Sequence, residues 1–242
     1  MTDSFFTRLS LQRDTAAIAP LIETLAPADP GSAMAVAHRL MWTVMPQEVQ
    51  LHHPRGERPF LWRAAEQNKY YMLGPQPTAE SPFFKIETKP YQPAFSPGDR
   101  LAFDLRVNAT ANRKTGVGAD GRAERQRVDV AIDRMHAEER GETVAGRSER
   151  RESAAQAAAA EWLRARGERD GYRLEAMRLV SYRPEALPRR TGNPMKIGVF
   201  DLQGTLVVEE PGSFLRRVLS GFGRAKAFGC GLMLLRRPQV GI

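Results

Sequence analysis

The order in which apolar patterns succeed one another constrains this chain more than any single motif. Alternation at Phe5, Leu9 and Leu11 predicts an opening strand. Pro27, Pro30 and Gly31 then break the pattern, and Ser32 offers an N-cap. Met34, Ala37, Met41 and Val44 recur at helical spacing until Pro46 stops them. Short apolar runs follow at 60–64, 70–73 and 83–86. After the Pro97-Gly98 turn, Leu101, Phe103, Leu105 and Val107 alternate as a further strand. The second half repeats this order. Val128, Val130 and Ile132 predict a short strand, and Ser153 with Gln156 reads as a capping box. The Ala-rich helix it opens ends near Gly167. Residues 174–182 and 196–208 read as strands, 213–220 as a short helix and 231–235 as a last strand.

Strand-helix-strand-strand-helix-strand is the ferredoxin-like order. The expectation is an α+β chain of two tandem ferredoxin-like (RRM-like) βαββαβ domains: residues 1–112, a flexible linker at 113–126, and residues 127–242. The sheet face of that fold is a common RNA platform, although a fold by itself does not fix function.

Composition narrows the partners. The 242 residues carry a formal net charge of +8 and a sequence pI of about 10.0, which favours a polyanion. The one cysteine, Cys230, excludes an internal disulfide framework and a cysteine zinc cluster. The four histidines, His38, His52, His53 and His136, lack the spacing of a helical metal site. A metal held by carboxylates would leave no such mark; the expectation is a site with no metal and no cofactor. No apolar run approaches the roughly 20 residues that cross a bilayer, so no membrane partner and a cytoplasmic location are expected.

The stretch 221–231, Gly-Phe-Gly-Arg-Ala-Lys-Ala-Phe-Gly-Cys-Gly, is the most informative for function. Its glycines let a backbone approach another surface closely and turn N–H groups outward. Arg224 and Lys226 lie inside it, and residues 211–242 hold six basic residues and no acid. One reading is a phosphate cradle beside a helix end; the other is a glycine helix cap followed by a bulged strand. Residues 113–151 hold ten basic and eight acidic residues, a balance that reads as a solvated mixed-charge surface and not as an RNA clamp.

The loop G-F-G-R-A-K-A-F-G-C-G-L resembles the glycine-rich loop of CRISPR repeat-RNA-processing proteins of the RAMP superfamily, and in particular the CasE family of type I-E Cascade. The segments A-V-A-H-R-L-M-W-T-V-M-P (35–46), L-R-V-N-A-T (105–110), A-E-W-L-R-A-R-G (160–167) and M-K-I-G-V-F-D-L-Q-G-T-L (195–206) are similar to others of the family. Only the charged insert 114–151 lacks a counterpart. The resemblance implies an endoribonuclease that cuts CRISPR precursor RNA at the base of the repeat stem-loop. It also implies that the enzyme stays on the 3′ hairpin of the mature guide RNA, among other Cascade subunits. A non-catalytic RNA-binding subunit of the same fold is the alternative.

By the same resemblance the reaction is metal-independent: the RNA 2′-hydroxyl attacks its own phosphorus and leaves a 2′,3′-cyclic phosphate. Such chemistry needs proton transfer and stabilisation of a phosphorane. Histidine, with an unperturbed pKa of about 6.5, suits the first. His38 matches the family's catalytic histidine, on the edge of the helical apolar stripe, with Trp42 one turn on and Arg39 pointing outward as an RNA contact. Lys196 matches a basic residue that stabilises the phosphorane. With Arg189 and Arg190 it makes a basic hairpin for an RNA stem, or else an ordinary exposed turn. Gly221, Gly223, Arg224, Lys226 and Gly229 complete the expected RNA-binding set. Ala35 stands where some members carry an assisting tyrosine; Tyr182 or Ser32 are the hydroxyls that could substitute. His52, His53 and His136 are expected to be incidental.

Overall fold

The computed structural model describes residues 3–12, 22–25, 27–53, 58–65, 68–117, 123–138, 147–187 and 193–238. In chain order these form β1 (Phe5–Leu11), α1 (Ile22–Leu25), α2 (Pro30–Trp42), α3 (Gln47–His52), β2 (Leu61–Ala64), β3 (Lys69–Gly74), β4 (Phe84–Pro90) and β5 (Arg100–Val107). There follow β6 (Thr110–Val117), β7 (Ala123–Asp129), α4 (Val130–Glu138), α5 (Arg147–Asp170), β8 (Tyr172–Leu187), β9 (Met195–Val208), α6 (Pro211–Ser220) and β10 (Met233–Arg236). Among the described residues no helix is long and apolar enough to cross a membrane.

Two antiparallel four-stranded sheets carry the architecture, in the orders β2-β3-β1-β4 and β10-β5-β9-β8. Numbered within each unit, both run 4-1-3-2, the ferredoxin-like order, so the expected pair of ferredoxin-like units is present. The first departs from βαββαβ in one respect: residues 75–83, between β3 and β4, contain no helix. One face of the first sheet packs on α2 through Leu9, Leu11, Met41, Val44, Trp62, Met72 and Phe84. One face of the second buries Leu105, Phe200, Leu202 and Leu206 against Trp162, Phe214 and Val218 of its helices.

Three expectations need correction. β5 pairs with β9, Phe103 opposite Gly204, and with β10, so it opens the second unit and does not close the first. The units therefore meet between β4 and β5, not at 113–126. Alternation reveals which face a residue takes but not which strand lies beside it. The expected linker is instead the hairpin β6–β7, and Val130 and Ile132 belong to α4. Its sequence is polar on both faces and carries no apolar stripe to announce a strand.

Helix ends shift for local reasons. Asp29, not Ser32, caps α2: its carboxylate accepts the Ser32 N–H at 2.7 Å, and Pro30 fills the first helical position, where a missing donor costs nothing. α5 begins at Arg147, so Ser153 is interior. Gln156 instead donates to the Met177 carbonyl at 3.0 Å and accepts from Leu179 N–H, tying α5 to β8.

Asn108, just after β5, joins three segments. It is buried; its amide donates to the Gly198 carbonyl of β9 at 2.8 Å, and its carbonyl accepts Arg224 N–H at 3.0 Å. Asn108→Ala strands a buried carbonyl and should cost about 1–3 kcal/mol. Urea denaturation measures this; an unchanged midpoint would show that the junction does not depend on it.

Candidate active site at the junction of the two units

Helix α2 lies where the units meet. Its apolar stripe buries Ala37, Leu40 and Met41 in the first unit. Met34, two turns before Met41 on the same stripe, packs instead, as Phe228 does, on Leu187, Ile197 and Val199 of β8 and β9. His38 sits between these contacts, half-buried, its ring centroid 6.3 Å from that of Phe228.

The glycine-rich loop follows α6 and includes a single 3₁₀ turn, Lys226–Phe228. Four of its glycines have positive φ: Gly221 (76°), Gly223 (65°), Gly229 (76°) and Gly231 (97°). The close approach they permit is to the protein itself. A Cβ at Gly221 would lie 2.7 Å from Leu61, at Gly223 2.6 Å from the Asn108 carbonyl, and at Gly229 3.1 Å from the Trp62 ring. Trp62 N–H also donates to the Ala227 carbonyl at 3.3 Å. The loop of the second unit is thereby clasped onto β2 of the first.

At six positions the loop's N–H groups are turned to the protein itself, as a glycine cap and turn require. The backbone N–H groups of Gly221, Phe222, Arg224, Phe228, Gly229 and Gly231 are all donated to protein carbonyls, those of Arg217, Gly231, Asn108, Ala225, Lys226 and Arg106. Gly221 is the C-cap of α6. The glycines give the loop its shape; Arg224 is exposed on it and Lys226 half-buried. Lys226 Nζ donates to the Ser220 carbonyl at 2.5 Å.

The electrostatics around His38 are uniformly cationic. Burial lowers its pKa from 6.5, and Arg58 and Arg39 lower it further. Burial likewise lowers that of Lys226, with Arg217, Arg224 and Arg58 adding to the shift. Arg58 thus acts on both groups. Nothing in the sequence pattern singled it out. Trp42 N–H donates to His38 Nε2 at 3.2 Å. An indole N–H can only donate, so Nε2 is an acceptor and the neutral imidazole carries its proton on Nδ1. Trp42 is itself held between the rings of His53 at 4.8 Å and Phe60 at 5.1 Å.

The remaining candidates are placed as follows. Arg39 is exposed on α2. Lys196 is exposed at the start of β9, on the strand face opposite to Met195 and Ile197, which pack with Met34 and Phe228. Arg58 is the charge that His38 and Lys226 share. Arg189 and Arg190 lie outside the described residues. Tyr182 packs on Phe200 and its hydroxyl bonds Asp129 at 3.2 Å, on the helix-covered face of the sheet, so it does not replace the hydroxyl missing at Ala35. Ser32 stands in the first turn of α2. His52 ends α3 and His53 caps it, not a loop; His136 is exposed on α4. Among the described residues no cluster of three or more His, Cys, Asp or Glu could hold a metal ion.

Protonating Nε2 would set two donors against each other, so Trp42 also opposes the charged form. Trp42→Phe keeps an aromatic ring and removes the donor; it should raise the His38 pKa, read by NMR titration of the imidazole. A fall, or no change, would contradict the hydrogen bond. Because the folded pKa lies below the unfolded value of about 6.5, stability is full above that pH and declines as pH falls through the folded value. Gly223→Val forces a β-branched residue to positive φ, which costs about 1–3 kcal/mol before any clash. It should lower the melting temperature, with RNA affinity following only the folded fraction. Lost affinity at unchanged melting temperature would return the loop's backbone to the binding surface.

Comparison with solved structures finds the same fold along the whole chain. CRISPR endoribonuclease Cse3 bound to a 19-nucleotide RNA superposes with a TM-score of 0.63 at 21% identity, covering 96% of this chain and 99% of that one. Thermus thermophilus Cse3, bound to an RNA representing a pre-cleavage complex, gives 0.63 at 20% identity over 97% and 99%. The CRISPR-associated protein Cas6e of Escherichia coli K-12 gives 0.57 at 18% identity over 96% and 98%. No curated protein matches the sequence. The model of the family described as CRISPR associated protein matches residues 5–237, nearly the full length, and the chain belongs to that family.

Proposed function

We propose that the protein is a metal-independent endoribonuclease that cuts CRISPR precursor RNA at the base of the repeat stem-loop and remains on the guide RNA within a Cascade complex. The observation that carries this reading is His38, a half-buried histidine with a lowered pKa at the junction of the two units. Arg58 and Arg39 act on its charge, and its ring centroid lies 6.3 Å from that of Phe228 in the glycine-rich loop. The fold shared with RNA-bound Cse3 supports it.

In the reaction proposed, the 2′-oxygen forms a bond to phosphorus as the bond from phosphorus to the 5′-oxygen breaks. One proton leaves the 2′-hydroxyl and one reaches the 5′-oxygen, giving a 2′,3′-cyclic phosphate and a 5′-hydroxyl. A neutral His38 at pH 7 suits proton acceptance, and releasing Trp42 N–H frees the Nε2 lone pair for it. Arg58 and Lys226 would stabilise the phosphorane charge from the loop side, and Lys196 from the end of the β8–β9 pair. Ala35 can neither donate nor accept a proton. A processing enzyme that keeps its product has little need of rapid turnover, so this substitution does not argue against catalysis.

His38→Ala should lower single-turnover cleavage by roughly 10²–10⁴-fold, the range of a general acid–base group, with little change in RNA affinity. Cleavage within a few-fold of wild type, or lost affinity at an intact rate, would make His38 a binding residue and favour the non-catalytic alternative. Lys196→Ala separates two roles. A slower chemical step at saturating RNA would place it at the phosphorane, and weaker affinity alone would make it an anchor.

A further inference from the structure

The hairpin β6–β7 belongs to neither four-stranded sheet. Residues 110–129 hold five basic and three acidic residues, and the strands set three of the cations on one face, with Asp129 at its base bonded to Tyr182. Side chains alternate along a strand, so Asn112 and Lys114 share one face with their cross-strand partners Arg127 and Arg125. All four are exposed. The opposite face holds Ala111, Arg113, Gln126 and Val128 and meets α4, where Arg113 donates to Asp133 at 2.7 Å.

The outward face is electrostatically unfinished. Lys114 stands directly opposite Arg125, and like charges in that position destabilise a ladder. Beyond the backbone ladder, no side-chain hydrogen bond or ion pair joins Lys114, Arg125 or Arg127 to another described residue, whereas Arg113 on the other face has its carboxylate. The base of the hairpin is firm. Trp162 N–H donates to the Thr110 carbonyl at 3.1 Å, and Ala109 accepts from Val130 N–H at 3.3 Å. The first strand begins just beyond Asn108, whose carbonyl holds Arg224 of the glycine-rich loop.

We infer that this outward face, Lys114, Arg125 and Arg127, is a second nucleic-acid contact that takes the phosphate backbone of RNA, continuing the cationic surface of the glycine-rich loop. The inference rests on the RNA reading above. Three cations with no side-chain partner among the described residues, on a braced ribbon, fit a regular polyanion: residues two apart on a strand lie roughly 6.8 Å apart, and phosphate contacts position RNA without reading its sequence.

The test uses the full chain and a labelled RNA duplex of generic sequence, with binding measured across a salt series in EDTA. Each lost phosphate contact lowers the slope of log affinity against log salt by roughly 0.7–0.9. K114Q/R125Q/R127Q should therefore reduce the slope by about two to three units, and each single variant by about one unit or slightly less. R113Q should leave the slope unchanged and lower the melting temperature, since its charge is spent on Asp133. Single-turnover cleavage of a stem-loop at saturating concentration should be unaffected in the triple variant. Should the triple variant fail to fold, the single variants carry the test. Wild-type slopes in folded variants overturn the inference. A wild-type slope combined with lost binding to polyglutamate also overturns it, and assigns the face to an acidic protein. Duplex binding does not depend on cleavage, so an inactive wild-type enzyme would remove the nuclease reading and leave this result legible.

Discussion

The clasp between the glycine-rich loop and the first unit holds the candidate site together. Gly229 lies under the Trp62 ring and Gly221 against Leu61, the Trp62 N–H fastens the Ala227 carbonyl, and Gly223 packs on Asn108 of the loop's own unit. Any side chain at these glycines would push the loop outward. Because the loop sits so close, Phe228 comes within 6.3 Å of His38 between ring centroids, and Arg58 acts on both His38 and Lys226. The clasp is therefore what turns a boundary histidine on one unit and a basic loop on the other into a single site.

Within that site a cationic environment and a hydrogen bond act on the histidine in the same direction. Burial, Arg58 and Arg39 all favour the neutral ring, and the Trp42 N–H fixes which nitrogen keeps the lone pair. The same cations that disfavour imidazolium would welcome a phosphodiester. Bound RNA would offset part of that positive field, easing protonation when the leaving oxygen needs a proton. Trp42 is anchored by His53 and Phe60, so the orientation of His38 depends on aromatic packing in the first unit as much as on the loop.

Much of the fold was legible in the sequence because the sheets are amphipathic. Leu101, Phe103, Leu105 and Val107 alternate and are buried, so the strand could be read; its partner could not, since alternation carries no information on pairing. Residues 113–126, the greater part of the hairpin, read as a linker because they bury little on either face and so leave no period. At the site, His38 was legible as a helix-edge residue with Trp42 on its flank. The glycines were read as facing a ligand because a single sequence shows that a backbone must come close to something, but not to what. Arg58 left no signal, since its role arises only when distant segments meet. Charge counting over 113–151 likewise averages the three exposed cations of one hairpin face with charges that lie elsewhere in the stretch.

The most direct measurement of the central claim is the chemistry of the cut ends. A CRISPR repeat RNA would be incubated with wild-type protein in excess EDTA, and both fragments analysed by mass spectrometry. Attack by the RNA's own 2′-hydroxyl predicts one cut at the base of the stem, with a 2′,3′-cyclic phosphate upstream and a 5′-hydroxyl downstream. A 3′-hydroxyl with a 5′-phosphate, or cleavage that vanishes in EDTA and returns with a divalent cation, would contradict the account.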